Sequence, residues 1–464
     1  MPNDLSFLIG IKGCRFVSWE EETNSKGRRY ILYKLEYDGE YLSVCPKCGK
    51  KMYKHGKRRV LINDTPVNGM PHVLEINFYR MRCSECGEMW SPKLQDIDEN
   101  RRITERALVD ITDKCLRNTF EDVSNDYLIT GETASNIFED FLDENADKLR
   151  FKTPVFLGID EIKIKKLGEI TVVTDLEHRT LYDILPKRNQ VALAEYFSQL
   201  PDRESVLWVC TDMYRPFEKP IASSLPNAQW AIDHFHLVGY ANMALDSVRK
   251  TIQDTLSKKA RIKTKKGLAY TLKKRLKDLD AEEAEKIALI RTKPKMAPMA
   301  IAFDLKEAFF NIYDENMESV DNAKRAFDEW EQSIPEDAIY EPFRALAKTV
   351  HNFYVQIFNY WECPIAVSNG FTECMNRLIR ENNCRGRGYS FKILRGRSLY
   401  RKTNIANALM GGQIIGPTLT ENEVPFHFDS TKDEDDDFIV IDGELVNEST
   451  GEVIQTPESE DSNQ

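Results

Sequence analysis

Residues 155–160 read Val-Phe-Leu-Gly-Ile-Asp, a short apolar run that ends at Asp160. A second run, residues 206–211, ends in the same way at Asp212. Short apolar runs are typical of strands buried in an α/β sheet. Carboxylates at the carboxyl ends of such strands point into the crevice where α/β proteins place their chemistry. We therefore predict that Asp160 and Asp212 lie at a functional site.

The segments around these runs predict the rest of the sheet: strands at 169–174 and 179–185, a helix at 191–200 and a strand at 229–232. Three sequential strands, a helix and a fourth strand match a ribonuclease H-like core. In that fold the first and fourth strands are neighbours, so Asp160 and Asp212 would meet. The predicted fold class is therefore α/β, with a mixed catalytic sheet.

A third carboxylate, Glu373, opens a helical stretch after the turn at residues 368–370. Three converging carboxylates repel each other unless cations lie between them. Two Mg²⁺ ions, or Mn²⁺ ions in their place, would supply that charge and hold both sides of a phosphoryl displacement. A single strand-end Asp is more often a helix cap or a surface charge, so the prediction depends on what surrounds these three residues.

The helix after Glu373 carries polar and basic residues on the same face. Asn376, Arg377 and Arg380 follow Glu373 by three, four and seven residues. Cations at the rim of a carboxylate site suit a polyanionic substrate.

Asp233 also ends a predicted strand and is an alternative to Asp212 as second metal ligand. We prefer Asp212, because it ends the longer apolar run. His236 could orient DNA or a carboxylate, and His234 lies beside it. Since i and i+2 is a poor spacing for two ligands on one helix, we expect a packing or supporting role for His236.

Two Cys-x-x-Cys pairs, each followed by a glycine, predict a structural zinc ribbon; they are Cys45 with Cys48 and Cys83 with Cys86. Each pair turns tightly and directs two thiolates at one tetrahedral ion. The gap of 34 residues between the pairs is longer than usual. A strand at 74–80 could fill it and bring the pairs together. A redox pair, the main alternative, would explain only one of the two motifs.

Cations cluster between the cysteine pairs, at Lys47, Lys50, Lys51, Lys54, Lys57, Arg58 and Arg59. A rigid ribbon with this charge suits a nucleic-acid backbone. A solvated face is the alternative. We favour DNA binding, because the zinc pairs would make the ribbon rigid.

Residues 103–149 predict helices, two of them joined by a tight turn before Gly131, which is typical of a helix-turn-helix. Thr133, Ser135 and Asn136 on the second of these helices could then contact bases. The neighbouring acids, Glu139 and Asp140, would oppose the approach of phosphate. A plain helical connector therefore stays open.

Charge is distributed unevenly along the 464 residues, whose formal net charge is -11. Residues 421–464 contain fifteen Asp and Glu against one basic residue, Lys432, so the rest of the chain carries a net charge of +3. We expect the acidic segment to be a solvated, disordered tail. No apolar run is long enough to span a bilayer, and the N-terminus lacks a signal-peptide pattern. We therefore expect a cytoplasmic, nucleoid-associated protein without a membrane partner.

These patterns predict the following segments: N-terminal strands and zinc ribbon (1–100), helix-turn-helix (101–150), first part of the ribonuclease H-like core (151–238), helical insertion (239–362), closing helix and basic segment (363–415), and acidic tail (416–464).

Over about residues 40–410 the chain resembles the DDE transposases of bacterial insertion sequences, in particular the ISL3 family. The most specific parts are Gly158-Ile159-Asp160-Glu161, Thr211-Asp212-Met213, Asp233-His234-Phe235-His236 and the segment 369–376. The order of zinc ribbon, helix-turn-helix and split core also matches. The acidic tail is a departure from the pattern, and the helix-turn-helix has few basic residues.

The resemblance implies that Asp160, Asp212 and Glu373 are the metal-binding triad. It also implies that the N-terminal modules bind the terminal inverted repeats of the element. The expected partners are double-stranded DNA, as terminal repeats and as target, and further copies of the chain on that DNA. Two other functions stay open. A structure-selective nuclease of this fold would need no sequence-reading module, and a non-catalytic DNA-binding regulator would not need the triad.

Overall fold

The computed structural model describes residues 9–145, 151–186, 189–256, 268–315, 319–365 and 367–400, and the backbone of two strands near the C-terminus. These residues cluster into two compact units. One contains the described residues up to Leu237 and those from Val350 to Tyr400. The other contains those from Val238 to Thr349, apart from Ser319 and Val320. In the described part of the chain, no helix has the length and apolar character to cross a membrane.

The first unit begins with a sheet that carries the cysteine pairs. Its strands are β1 (Cys14–Thr23), β2 (Arg29–Tyr37), β3 (Met52–Val67), β4 (Met70–Cys83), β5 (Met89–Trp90), β6 (Ile97–Asp98) and β7 (Ile103–Thr104). Their order is β1-β2-β4-β3-β7-β6, with β5 paired to β4. Strands β3 and β4 form a long hairpin that turns at Asn68 and Gly69, both with positive φ as two-residue hairpin turns require. The strand predicted at 74–80 lies within β4, so that prediction is confirmed.

Three helices follow: α1 (Glu105–Cys115), α2 (Phe120–Tyr127) and α3 (Gly131–Asn145). Thr104 caps α1, so Ile103, which we placed in the helical segment, belongs to β7 instead. Leu128 ends α2 in the left-handed conformation, and three residues separate α2 from α3. The arrangement has helix-turn-helix spacing. Its apolar face is not a separate core, because it packs into the same cluster as the catalytic sheet described next.

The sheet that we predict to be the catalytic sheet contains β8 (Phe156–Ile164), β9 (Gly168–Asp175), β10 (Thr180–Leu185), β11 (Trp208–Thr211) and β12 (Gln229–Ile232). Its order is β10-β9-β8-β11-β12. The first three strands are antiparallel, whereas β8, β11 and β12 are parallel. This is the ribonuclease H-like arrangement, and the prediction that the first and fourth strands are neighbours is confirmed. Two helices, α4 (Gln190–Ser198) and α5 (Glu218–Ser224), precede and follow β11.

One detail of β8 differs from the sequence prediction. Asp160 does not end this strand, which continues to Ile164. The extension exists because β8 and β9 form an antiparallel hairpin that pairs Asp160 with Val172 and runs on to Ile164. The parallel partner β11 stops earlier, at Thr211. Asp160 therefore lies beyond the part of β8 that pairs with β11.

The second unit is helical, as the predicted insertion requires. Three of its helices lie wholly within it: α7 (Leu268–Lys273), α8 (Ala281–Thr292) and α9 (Ala297–Glu315). Three others lie mostly within it: α6 (His234–Thr255), α10 (Val320–Gln332) and α11 (Glu341–Asn352). Lys306 of α9 is fully buried and donates hydrogen bonds to the carbonyls of Leu272 and Lys274, at 3.1 and 2.6 Å. Burial lowers the pKa of Lys306 to about 8.

The sequence of this insertion contains two basic clusters, at residues 258–266 and 273–277. Lys274, Arg275 and Lys277 form ion pairs with acids of their own unit, Glu283, Glu307 and Asp314. Their charge is therefore largely neutralised within the fold. The cluster at 258–266 lies outside the described residues.

Three helices close the first unit: α12 (Tyr354–Glu362), α13 (Gly370–Arg385) and α14 (Phe391–Tyr400). Helix α12, which we assigned to the insertion, packs on β12, where Asn359 donates a hydrogen bond of 2.8 Å to the Trp230 carbonyl. Near the C-terminus, β13 (Phe438–Ile441) and β14 (Glu444–Asn447) pair antiparallel within the predicted acidic tail. The rest of that tail lies outside the described residues.

The basic residues of α14 bind to acidic side chains and backbone carbonyls of the same chain. Arg395 donates a 2.7 Å hydrogen bond to Asp183, and Lys392 pairs with Asp143 at 2.8 Å. Arg397 is only 2% exposed and donates to the carbonyls of Asn118, at 2.8 Å, and Cys115 at the end of α1. These cations hold α14 to the sheet and to α1–α3, so they do not add free positive charge to a DNA surface.

Candidate metal centres and nucleic-acid surface

The two cysteine pairs meet at one point. The Sγ atoms of Cys45 and Cys86 are 3.6 Å apart, and Cys48 lies 3.4 Å from Cys83 and 3.5 Å from Cys86. Zinc bound tetrahedrally at about 2.3 Å would separate its sulfur ligands by about 3.8 Å. The four thiols therefore fit one zinc ion, and these residues form the predicted zinc ribbon.

The local backbone explains why each pair forms a knuckle. Gly49 and Gly87, one residue after each pair, have φ of +71° and +72°, a conformation that favours glycine. Cys45 and Cys83 each donate a backbone hydrogen bond across the knuckle, to Lys50 and Glu88. Backbone N–H groups of Cys86 and Glu85 lower the pKa of the Cys83 thiol to about 6. A thiolate is the form that binds zinc.

At the catalytic sheet, strand register brings three aspartates to one level. Cys210 pairs with Gly158 in the parallel register of β11 and β8. Two residues further along each strand lie Asp212 and Asp160. On the other side, Thr211 pairs with Ile232, which places Asp233 level with Asp212. Neighbouring strands lie about 4.8 Å apart, so the carboxyl edge of β8, β11 and β12 presents a row of carboxylates.

Helix α13 packs directly across this edge and carries Glu373. Asn369, at its start, donates a 3.1 Å hydrogen bond to the Ile159 carbonyl, and Asn376 donates a 2.6 Å hydrogen bond to Oδ2 of Asp160. The hydroxyls of Thr372 and Thr174 lie 2.7 Å apart, next to Gly158. These contacts fix Glu373 above the aspartates.

Gly158 is the residue that permits this close approach. A Cβ atom at this position would lie 2.5 Å from Oγ1 of Thr174 and 2.7 Å from Oγ1 of Thr372. We expect Gly158→Ala to displace α13, to destabilise the protein by about 1–3 kcal/mol and to impair any activity that needs Glu373. The measurement is the thermal unfolding midpoint, with Gly239→Ala as control, since a Cβ atom there meets nothing within 4 Å. An unchanged unfolding midpoint in Gly158→Ala would show that the packing of Gly158 against Thr174 and Thr372 is not tight.

Asp160 is half-buried, and burial raises the pKa of its carboxyl above the usual value. The Glu161 N–H at 2.7 Å, the positive charge of a protonated His236, and Asn376 act in the opposite direction. Arg380 also lowers this pKa through its charge, so this predicted rim residue acts on the site; Arg380 and Arg377 are both exposed. A bound cation would offset the cost of burying this carboxylate.

A second group of possible ligands lies beside Asp160. One ligand atom from each of Asp233, His236 and Glu373 falls within 4.8 Å of the others. Asp233 is fully buried, and burial raises its pKa to about 6. Its Oδ1 accepts a 3.3 Å hydrogen bond from the Phe235 N–H at the start of α6. Among the residues that the structure describes, its Oδ2 has no hydrogen-bond partner, and Nε2 of His236 is buried without one too.

Some of the predicted site residues thus lie close together, and others do not. Asp233, His236 and Glu373 form one group, with Asp160 and Asn376 next to it. Asp212 is half-buried at the same edge but is not a member of that group. The i and i+2 spacing of His234 and His236 predicts only a supporting role for His236. The informative pair is Asp233 and His236, because Asp233 immediately precedes α6, His236 lies in its first turn, and their ligand atoms lie within 4.8 Å of each other.

The predicted DNA-binding cations on β3 are exposed: Lys54, Lys57, Arg58 and Arg59. Gly56, with φ of +136°, interrupts the pairing with β4 between Lys54 and Lys57. The Lys54 ammonium lies over the Tyr79 ring, 4.5 Å from its centroid. Lys57 pairs with Glu36 at 3.6 Å and Arg59 with Glu75 at 3.3 Å. The hairpin therefore presents four exposed cations next to the zinc ribbon, two of them ion-paired with acids of neighbouring strands.

Helix α3 presents a different surface. Asn136 is exposed, whereas Thr133 and Ser135 are half-buried, and Oγ1 of Thr133 lies 2.8 Å from Oγ1 of Thr130. The remaining exposed and half-buried residues of its outer face are acidic: Glu132, Glu139, Asp140, Asp143 and Glu144. This face offers little attraction for phosphate, which agrees with the connector alternative.

Comparisons with known proteins identify the family of this chain. Curated relatives include the transposase for insertion sequence element IS1557 in two strains of Mycobacterium tuberculosis, CDC 1551 / Oshkosh and H37Rv. Each is 26% identical, over 39% of this chain and 45% of the relative, so the match spans less than half the length of these proteins. A family model described as "zinc-finger of transposase IS204/IS1001/IS1096/IS1165" matches residues 42–86. A second model, of the ISL3 DDE transposases and described as "Transposase", matches residues 157–398. This match covers more than half of the chain, from the first strand of the catalytic sheet to α14, so the chain belongs to the ISL3 family of DDE transposases.

Proposed function

We propose that this chain cleaves DNA at the ends of an insertion sequence and joins the freed ends to target DNA, in a reaction that requires Mg²⁺ or Mn²⁺. One observation carries the proposal. The parallel register of β8 and β11 puts Asp212 level with Asp160, and Asn376 ties α13, which carries Glu373, to Asp160. Carboxylates gathered in this way suit divalent cations and a phosphate substrate.

Asp160, Asp212 and Glu373 would hold two divalent cations, which when bound activate the attacking oxygen and neutralise charge on the phosphate. The residues around them prepare the site. Asn376 fixes the orientation of Asp160 through its 2.6 Å hydrogen bond. Arg380, one turn further along α13, adds positive potential that attracts the DNA backbone. Cleavage and joining are both in-line displacements at phosphorus, so one site could perform both.

The zinc ribbon and the basic β3–β4 hairpin would bind the terminal inverted repeats, with α1–α3 as connector or as a second DNA contact. The basis is the exposed cluster of Lys54, Lys57, Arg58 and Arg59 on a hairpin whose end is fixed by the zinc cysteines. Joining two ends of one element requires that both be held together. We therefore propose that the chain acts as a dimer or larger assembly on DNA.

The hairpin cations give a quantitative prediction. Replacing Lys57, Arg58 and Arg59 by Ala should weaken DNA binding and reduce the slope of log affinity against log salt by about 3, one for each lost phosphate contact. Fluorescence anisotropy over a salt series measures this slope. The control replaces three exposed cations on or next to β1 and β2, Lys12, Lys26 and Arg29, and should leave the slope unchanged. Equal slopes for both triple variants would remove the hairpin from the interface.

The function itself is tested with the DNA that flanks the reading frame. We expect the protein to bind duplexes carrying those terminal repeats more tightly than shuffled duplexes, and to nick them at the element boundary when Mg²⁺ is added. Cleavage of branched DNA of any sequence, without preference for the repeats, would instead identify a structure-selective nuclease. Tight binding without any Mg²⁺-dependent or Mn²⁺-dependent cleavage would identify a regulator.

A further inference from the structure

We propose that Asp233 and His236 are direct ligands of the cation at Glu373, so that this half of the metal centre is a mixed nitrogen and oxygen site for a divalent transition metal. The inference deepens the proposed function and rests on it, since both place a cation at Glu373. It differs by adding a carboxylate and an imidazole nitrogen to the ligands.

The geometry is the first argument. Asp233 immediately precedes α6 and caps it, and His236 lies in the first turn of the helix, three residues later. Glu373 lies in the first turn of α13. Ligand atoms from these three residues lie within 4.8 Å of one another, the separation that a single coordinated ion can bridge.

Buried polar atoms of Asp233 and His236 also lack hydrogen-bond partners among the described residues. Asp233 is fully buried; its Oδ1 caps α6 through the Phe235 N–H and lies 3.5 Å from Nδ1 of His234, and the Asn369 N–H also acts on this carboxylate. The other oxygen, Oδ2, has no hydrogen-bond partner among the described residues. Nε2 of His236 is also buried without a partner. A buried carboxylate oxygen and a buried imidazole nitrogen are both costly when left unsatisfied, and one cation would satisfy both.

The ligand set also indicates the class of ion. Mg²⁺ requires octahedral oxygen coordination and usually keeps several waters. Imidazole favours transition metals, and carboxylates accept Mn²⁺ readily. We therefore expect Mn²⁺ to bind this site more tightly than Mg²⁺ and to carry a histidine nitrogen in its coordination shell.

Pulsed electron paramagnetic resonance of bound Mn²⁺ tests the inference directly, because it detects nitrogen bonded to the ion. The sample is the full chain with zinc in its ribbon and Mn²⁺ added. We expect nitrogen coupling in the wild type, its loss in His236→Gln, and an affinity for Mn²⁺ that falls at least about tenfold in that variant, the lower end expected even for an outer-sphere partner. Asp233→Asn should weaken binding by a similar factor and keep the nitrogen coupling.

Two further variants locate the signal. His234→Gln and Asp212→Asn should both keep the nitrogen coupling, because neither residue belongs to the proposed ligand set. If His236→Gln loses its zinc or its circular dichroism spectrum, the wild type and His234→Gln carry the test by themselves. Absence of bound Mn²⁺, absence of nitrogen coupling in the wild type, its loss in His234→Gln, or its persistence in folded His236→Gln would overturn the inference.

This readout is separate from activity. Nitrogen coupling without DNA cleavage would support the mixed site and contradict the proposed function. DNA cleavage with an all-oxygen coordination shell would support the proposed function and contradict the mixed site.

Discussion

Replacing Asp160 by Asn removes DNA cleavage, with an expected loss of at least about 10³-fold, or roughly 4 kcal/mol of transition-state stabilisation. Asp160 lies at the carboxyl edge of the sheet, and the Asn376 amide holds one of its oxygens at 2.6 Å. Asn keeps the size of the side chain but removes one negative charge from a site that must hold divalent cations. The measurement is the rate of nicking of a terminal-repeat duplex at saturating Mg²⁺.

The control for this experiment is Glu177→Gln. Glu177 is exposed in the turn between β9 and β10 of the same sheet, and its substitution makes the same change of charge. We expect Glu177→Gln to cleave at the wild-type rate. A folded Asp160→Asn variant that retains more than a tenth of that rate would exclude Asp160 from the mechanism.

Replacing Cys48 by Ser should remove the zinc ion and, with it, specific DNA binding. Few buried side chains support this ribbon: Cys45, Met52, Met81 and Cys83 form its cluster. Structural zinc supplies about 10–16 kcal/mol of binding free energy in isolated fingers, so the ion, more than apolar burial, organises the ribbon. We expect bound zinc to fall from about one ion per chain to nearly none, and DNA affinity to fall at least about tenfold.

Cys384→Ser is the matched control, because Cys384 is an exposed cysteine outside the cluster. Zinc is counted by elemental analysis, and DNA binding is measured on the same samples. The catalytic sheet should keep its fold in Cys48→Ser, since its core is a separate cluster of residues. Stoichiometric zinc in Cys48→Ser would mean that the four thiols are not the ligands.

The architecture of the core could be predicted because its strands are buried on both faces. Residues 156–159 and 208–211 are buried in the sheet, and the order of strands and helix along the chain matches the ribonuclease H-like core, in which the first and fourth strands are neighbours. The extension of β8 beyond Asp160 could not be predicted in the same way. It depends on pairing with β9, where Asp160 faces Val172. The apolar pattern of β8 alone does not show how far this pairing extends.

The site was harder to predict wherever a side chain has a partner distant in sequence. The i+3 spacing from Glu373 identified Asn376, but the carboxylate that Asn376 contacts lies 216 positions earlier in the chain. Arg395 and Arg397 look like surface cations in the sequence, yet their partners are Asp183 and the carbonyls that end α1. Charge counts along a chain do not separate cations that bind DNA from cations that hold the fold together.

The helix-turn-helix illustrates the same limit. Apolar spacing correctly located three helices, and Thr119 caps α2 as its side chain allows. Which face of α3 stays exposed depends on the core that receives its apolar side. That core is shared with the catalytic sheet, and the face left outside carries Asp140 and Asp143.

The central claim is that one carboxylate site both cleaves and joins DNA, and the products of the wild-type reaction test it most directly. The protein is incubated with Mg²⁺, a DNA fragment ending in the element's terminal repeat, and a circular target, and the joined molecules are sequenced. The account predicts junctions in which the 3′ end of the element is bonded to target DNA, at a rate that Asp160→Asn abolishes. Junctions formed equally by wild type and Asp160→Asn, or nicked ends that are never joined, would contradict it.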